Sequence, residues 1–222
     1  MKMFLLLLSL SLPAAAATVV NGGSLLNQVN ANQIATWLGE GDLVLTNVYS
    51  SSGGLTAPQP PSWHNAVDGV GRTVSLLLTD IGLVGGYNPV SWNSSGGYTI
   101  NLTDAGRTAF IFNLNSGVIQ RQLLGSSDGQ YQTYNHVAYG PTFGGGHDLT
   151  VNRDGGIFYF GTAFSYGNGT GSANIFGNGG QTNFTLLGFE TFTITNVPEL
   201  STLAPTSLAL LLAAAKRQRH GR

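Results

Sequence analysis

Between residues 42 and 194, short apolar segments alternate with turns rich in glycine and asparagine. Glycine makes up 32 of the 222 residues, and only 9% of the residues are charged. Short segments of β-branched and aromatic residues between such turns are typical of strands. We predict strands at residues 42–49, 73–79, 83–86, 108–114, 118–123, 149–152, 156–161, 184–187 and 189–194. Many short strands joined by glycine-rich turns predict a mainly β (α+β) fold, a sandwich.

Two helices interrupt this pattern. The apolar residues of segment 24–39 recur at helical spacing, with Ser24 placed as an N-cap and Gly39 as a C-cap. A shorter helical turn is predicted after Pro61, over residues 63–67. In the strand at 108–114 both alternating sets of side chains are mostly apolar, so we expect this strand to be buried on both faces and central. Residues 167–181 are rich in glycine and asparagine and predict a long surface loop.

The N-terminal end has the order of a secretory signal. Met1 and Lys2 precede an apolar run over 3–12, Pro13 and the small residues 14–17. A membrane anchor needs roughly 18 consecutive apolar residues, which this run does not reach. We predict that residues 1–17 are a signal peptide, that signal peptidase cleaves after Ala17, and that the domain spans 18–196.

The C-terminal end, residues 197–222, contains a polar motif, an apolar run through Ala215 and a basic end. A helix over 203–215 rises only about 20 Å against a hydrocarbon core of roughly 30 Å, so we expect a short transmembrane segment with transient inner-membrane contact. Basic residues after it hold that end in the cytoplasm. The residues concerned are Val197, Pro198, Glu199, Lys216, Arg217 and Arg219.

This tail resembles the PEP-CTERM sorting signal, in which a Pro-Glu-Pro-type motif precedes a short transmembrane segment and an arginine cluster. Leu200 stands where that motif has its second proline. The resemblance implies processing by an exosortase-type enzyme in a Gram-negative-type bacterium. It also implies a membrane-associated precursor and a product in the cell envelope, at the outer surface or in the extracellular matrix.

The composition of residues 18–196 excludes several classes of function. This segment holds nine acidic residues, four arginines and no lysine, a net charge of −5. Nucleic acid and anionic lipid are therefore poor partners. The chain has no cysteine, and its two methionines, Met1 and Met3, lie in the predicted signal peptide. Disulfides, thiolate nucleophiles and zinc-thiolate sites are excluded, and we expect no cofactor and no metal.

The most distinctive internal motif is the glycine-rich block at 139–149, in which three glycines precede His147 and Asp148. Phosphate binding is excluded because no Lys-Ser or Lys-Thr follows and the next residues predict a strand rather than a helix. This block and the segments that surround it in order over about 150 residues resemble the TLDc domain family. The residues that carry the resemblance are Gly85, Gly86, Trp92, Gly140, Pro141, Thr142, Phe143, Gly144, Gly145, Gly146, His147, Asp148 and Glu190.

The resemblance implies a β-sandwich of two antiparallel sheets with a few peripheral helices. The family is linked to oxidation resistance and, in eukaryotes, to binding of the vacuolar proton pump, without a settled catalytic mechanism. An exported protein does not meet a cytosolic pump domain, and a domain without sulfur has no thiol chemistry against oxidants. We therefore expect the fold of the family in a different biological setting.

His147, Asp148 and Glu190 are the weak candidates for catalysis. Adjacent residues on a strand point to opposite faces, so His147 and Asp148 do not serve one centre without a bulge. We expect both to hydrogen-bond the glycine loop, with a secreted hydrolase as the alternative. His64 and His136 are too far apart in sequence to pair by spacing. A sugar-stacking surface is the remaining alternative to ordinary packing for Trp63, Trp92, Tyr98, Tyr131, Tyr134 and Tyr139.

Together these features predict an exported, non-enzymatic interaction or structural module of the envelope or matrix. An envelope polysaccharide or protein is the expected partner. A secreted hydrolase that uses His147 and Asp148 and a carbohydrate-binding module are the alternatives.

Overall fold

The computed structural model describes residues 15–52, 60–151, 156–159, 163–169, 173–180 and 182–198. Residues 1–14 of the predicted signal peptide, residues 199–222 of the predicted tail and parts of the predicted 167–181 loop lie outside this description. The helices are α1 (Gln28–Leu38) and α2 (Pro60–Val67). The strands are β1 (Ala17–Val20), β2 (Leu43–Ser52), β3 (Thr73–Thr79), β4 (Gly82–Asn88), β5 (Ser95–Ile100), β6 (Phe110–Asn113), β7 (Val118–Arg121), β8 (Tyr131–His136), β9 (Thr142–Phe143), β10 (Leu149–Val151), β11 (Gly156–Tyr159) and β12 (Thr182–Asn196).

The strands form two sheets. The first sheet has the order β1-β2-β12-β3-β4-β6-β7, and the second has the order β5-β8-β9-β10-β11. Every pairing between these strands is antiparallel except that of β1 with β2. The antiparallel two-sheet β-sandwich with peripheral helices is therefore confirmed.

Strand β12 joins the two sheets. Its first residues, 182–185, pair with β11, and residues 188–196 pair with β2 in the first sheet. The register with β3 shifts between Leu186 and Gly188, which lets one strand pass from one sheet to the other. The two strands predicted at 184–187 and 189–194 are therefore one strand, because a bulge rather than a turn separates them.

The first sheet is buried on both of its faces. One face packs against the second sheet and α2 around Trp63, Trp92 and Phe143, and the other packs against α1 around Ile34 and Phe112. Strand β6 alternates between these two cores, as predicted for residues 108–114, and lies between β4 and β7.

Helix α1 begins later than predicted. Asn27, rather than Ser24, is the N-cap, and its side chain accepts a hydrogen bond from the Asn30 N–H. The Ser24 N–H donates to Glu190 instead, so the segment before the helix is held by β12. Val29 is 76% exposed, so it does not belong to the face with which α1 packs on the first sheet. The C-cap prediction is confirmed, since Gly39 has φ 68° and donates to the Ala35 carbonyl.

Strand β1 contains the predicted signal-peptide cleavage site. Ala17 is buried, pairs with Leu43, and donates its N–H to the Asn32 side chain at 3.1 Å. A mature chain that begins at Thr18 would keep the remaining residues of β1. Neither helix in the described part of the chain has the length and apolar character needed to cross a membrane, and the predicted transmembrane segment at 203–215 lies outside that part.

Candidate functional site

The glycine-rich block forms a tight hairpin between β9 and β10. Gly144 has φ 86° and His147 has φ 56°, both in the left-handed region, and the His147 N–H donates to the Gly144 carbonyl at 3.1 Å. A Cβ atom on Gly144 would lie 2.6 Å from Asp148 Cγ. Glycine is therefore required at 144 both for its backbone angle and because the Asp148 carboxyl occupies the space beside it.

Asp148 fastens this hairpin to a neighbouring segment. Its side chain is fully buried, and Oδ2 accepts hydrogen bonds from the N–H groups of Phe164, Ser165 and Tyr166 at 3.2, 2.7 and 2.9 Å. Oδ1 has no hydrogen-bond partner among the described residues. Burial raises the pKa of Asp148 to about 7, although the three N–H donors act in the opposite direction.

His147 is half-buried, and its ring packs among tyrosine rings. Its ring centroid lies 5.0 Å from that of Tyr134, 5.5 Å from that of Tyr139 and 6.3 Å from that of Tyr98. Burial lowers the pKa of His147, so the ring is neutral at pH 7. In this position the imidazole is part of an aromatic surface and does not form an acid–base pair with its neighbour.

Glu190 lies elsewhere, on the first sheet. It is 2% exposed, and its carboxylate accepts from the Ser24 N–H at 2.6 Å and from the Leu25 N–H at 3.2 Å. A Cβ atom on Gly23 would overlap the Glu190 carboxylate, so the close approach of this loop requires glycine. The structure therefore does not bring Glu190 together with His147 and Asp148.

The glycine pair 85–86 allows the two cores to pack closely around β4. A Cβ atom on Gly85 would overlap the Ser75 carbonyl oxygen, and one on Gly86 would lie 2.5 Å from the Phe143 ring. Phe143 in turn packs edge-to-face on Trp92 at 5.5 Å. Next to Phe143, the Thr142 and Thr150 hydroxyls are 2.7 Å apart. The Gly140 N–H donates to the Val151 carbonyl, and the Val151 N–H donates to the Pro141 carbonyl.

A second group of polar side chains contains the residue types of a hydrolytic triad. His64 Nδ1 lies 2.7 Å from Asp68 Oδ1, and the Ser94 hydroxyl donates to Asp68 Oδ2 at 2.5 Å. The serine contacts the aspartate rather than the histidine. His64 is 3% exposed, and its Nε2 faces the backbone carbonyls of Tyr139 and His136 at 2.9 and 3.0 Å. This arrangement positions the 136–139 turn and leaves no ring nitrogen to activate a nucleophile.

His64 and His136, which are too far apart in sequence to be paired by spacing, lie close together in the fold. The His64 ring reaches the His136 main chain because α2 packs beside the end of β8. Sequence spacing gave no sign of this contact, since it depends on how the two elements pack.

Among the described residues, a group of partly exposed rings lies on the second sheet, and we call it the outer aromatic cluster. Tyr134 is at its centre, and its ring centroid lies 4.9 Å from that of Tyr98. The His136 ring centroid is 5.9 Å away, and the two ring planes are nearly parallel, with an angle of 6° between them. Each of its six rings is half-buried. The members are Tyr98, Tyr131, Tyr134, His136, Tyr139 and His147.

Two aromatic residues of the predicted sugar-stacking set do not belong to this cluster. Trp63 and Trp92 are buried in the core, 5.1 Å apart, and their indole N–H groups donate to the hydroxyls of Thr191 and Thr73. They are therefore excluded from any surface contact. The structure adds His136 and His147 in their place.

Three features define this class of β domain. They are a two-sheet sandwich with a strand shared by both sheets, a glycine pair that leaves room for Phe143, and a hairpin held by a buried aspartate. The family model of the TLDc domain matches residues 22–196, and the chain belongs to the TLDc domain family. No curated protein matches the sequence. Within the described residues, no three histidine or acidic side chains come together as a metal site would require.

Proposed function

We propose that this TLDc protein is an exported, non-enzymatic interaction module of a bacterial envelope or extracellular matrix. Signal peptidase removes residues 1–17, and an exosortase-type enzyme processes the tail at 197–222. The order of charged, apolar and small residues at the N-terminus and the motif, apolar run and basic end at the C-terminus support this route.

The non-enzymatic part of the proposal is supported by the structural roles of Asp148 and Glu190, whose carboxyl groups bind main-chain N–H groups. Asp148 accepts three backbone N–H groups, and Glu190 accepts two. A general base or nucleophile has to reach a substrate proton or a reacting atom. Asp148 and Glu190 are buried and bonded to main chain, and the ring contacts of His147 among the described residues are with Tyr98, Tyr134 and Tyr139.

Intact-mass analysis of the protein from native cells, taken fraction by fraction, tests the export route. The expected product begins at Thr18 and ends close to Glu199. A soluble fraction that retains the C-terminus through Arg222 would contradict processing of the tail.

A turnover assay with His147→Ala tests the non-enzymatic role against the hydrolase alternative. We expect no release of product from envelope glycans or peptides by either the natural protein or the variant. A turnover that the natural protein shows and the variant loses would establish the hydrolase instead.

A further inference from the structure

We propose that the outer aromatic cluster binds a neutral polysaccharide by stacking sugar rings on tyrosine and histidine side chains. This inference rests on the proposed function as an interaction module and identifies its partner by chemical class.

The scaffold holds the rings of the cluster in fixed positions. Tyr98 and Tyr134 are direct cross-strand partners on β5 and β8, and His136 follows Tyr134 by two residues on the same strand face. His64 holds the turn that carries Tyr139 through two backbone carbonyls. Asp148 holds the hairpin that carries His147. A surface fixed in this way loses little conformational entropy when a ligand binds.

The cluster combines apolar ring surface with polar atoms that the fold does not use. The Tyr98 hydroxyl donates to the Gly145 carbonyl at 2.9 Å. In the described part of the chain, the hydroxyls of Tyr131, Tyr134 and Tyr139 make no hydrogen bond. His136 Nδ1 accepts from the Ala138 N–H, so the proton lies on Nε2 and can be donated to a ligand.

This combination matches the two surfaces of a pyranose. The axial C–H groups of a sugar ring pack on an aromatic face, while its hydroxyls both donate and accept hydrogen bonds at the ring edge. Tyrosine and histidine supply an apolar body and a polar tip in the same side chain. A purely apolar partner would leave these polar tips dehydrated and unpaired.

The charge of the domain favours a neutral polysaccharide over an acidic one as the ligand. Burial lowers the pKa of His147, which disfavours a positive charge on this ring. Residues 18–196 carry a net charge of −5, which opposes the approach of an acidic polysaccharide.

A proline-rich peptide also docks on aromatic surfaces, but it fits this cluster less well. Proline has no N–H, so such a peptide offers acceptors and few donors. A neutral imidazole presents one accepting nitrogen as well as one donor. Sugar hydroxyls can form hydrogen bonds with both nitrogens of His147. A polyproline segment can only accept a hydrogen bond from the protonated nitrogen.

The test is isothermal titration of the full chain with laminarin and hydroxyethylcellulose as neutral glucans, alginate as an acidic polymer and polyproline as a peptide. We expect a neutral glucan to bind and alginate and polyproline not to bind. His147→Asn removes one ring, and asparagine tolerates the left-handed backbone at this position. Loss of one stacked ring is expected to weaken binding about tenfold.

Two further variants separate the contribution of a hydroxyl group from an effect on folding. Tyr134→Phe keeps the central ring and removes only its hydroxyl, and it should weaken binding about threefold. Trp37→Ala removes a half-buried ring from α1, which packs on Phe110 and Phe112 of the first sheet. This control should lower the melting temperature and leave the affinity for the glucan unchanged.

The outcomes separate this inference from the proposed function. Equal affinity of the natural protein and His147→Asn for a glucan, preferential binding of alginate or polyproline, or no binding of any neutral glucan would each overturn the cluster as a glycan site. The same samples are assayed for new reducing ends. Their appearance would overturn the non-enzymatic role itself, whether or not the cluster binds sugar.

Discussion

Asp148→Asn gives the sharpest test of how the glycine-rich hairpin is stabilised. The carboxyl is fully buried, and its pKa rises from an ordinary value of 3.8 to about 7 because of that burial. Asparagine has nearly the same shape, and its side-chain oxygen can accept the three N–H groups that Oδ2 accepts now. Its amide nitrogen would take the place of Oδ1, which has no partner among the described residues.

The size and sign of the effect follow from proton linkage. Between pH 4 and pH 7 the folded protein keeps a proton on Asp148 that the unfolded chain releases. The free energy of unfolding therefore falls as pH rises through this window and levels off above it. A shift of about 3 units corresponds to about 4 kcal/mol at most. Asp148→Asn carries no such cost, so its advantage over the natural protein should grow from near zero at pH 4 toward that limit at pH 8.

Urea unfolding of both proteins at half-unit steps from pH 4 to pH 8 measures this difference. Other carboxyls titrate in both proteins, so the difference between the two curves isolates Asp148. Asp80→Asn is the matched control, because Asp80 is exposed and loses the same formal charge. A difference that is independent of pH, or a natural protein that gains stability over the variant as pH rises, would contradict a raised pKa of Asp148.

Three further predictions concern close packing, the N-terminal loop and the triad-like group. Gly85→Ala places a methyl group against the Ser75 carbonyl and should cost about 3 kcal/mol of unfolding free energy. Gly179→Ala, where nothing lies within 4 Å, should change little, and equal melting temperatures would contradict this difference. Glu190→Gln should cost about 2 kcal/mol by removing charge-assisted hydrogen bonds to the loop before α1, whereas the exposed Glu40→Gln should cost about 0.5 kcal/mol. Faster proteolysis between residues 20 and 27 in Glu190→Gln alone would support this role. Ser94→Ala should leave any hydrolytic signal unchanged, and a loss of turnover would restore the triad interpretation.

Features of the fold that depend on local sequence were predictable. Strand β3 matches residues 73–79 at both ends, and the Gly39 cap lies where glycine after an apolar helical stripe places it. The start of α1 was not predictable, because the N–H groups of Ser24 and Leu25 donate to Glu190, which is distant in sequence and holds this segment outside the helix. Local propensity contains no information about that hydrogen bond.

Strands β1, β5, β8 and β9 were missed for physical reasons that differ. Strand β8 buries Gln132 and Asn135, whose amides donate to Asn88 and Thr99, so its inner face is polar where an apolar pattern is expected. Strand β5 is mostly exposed and contains glycines at positive φ. Strand β9 is only two residues long, and β1 begins at the last residue of the predicted signal peptide.

The aromatic surface was predictable only in part for the same reason. Tyr98, Tyr131, Tyr134 and Tyr139 were candidates from the sequence, but separating them from Trp63 and Trp92 requires knowledge of burial. His136 follows Tyr134 at strand spacing, a signal that becomes informative only once β8 is recognised. His147 joins the cluster because a left-handed residue turns its ring toward β8.

Calorimetric titration of the full chain with the neutral exopolysaccharide of its own cells separates a binding module from a hydrolase, because one trace distinguishes binding from turnover. We expect saturable heat pulses that return to the original baseline and that His147→Asn reduces. A baseline displaced by continuing heat release would show turnover and contradict the interaction module, and the absence of any binding heat would contradict the glycan site.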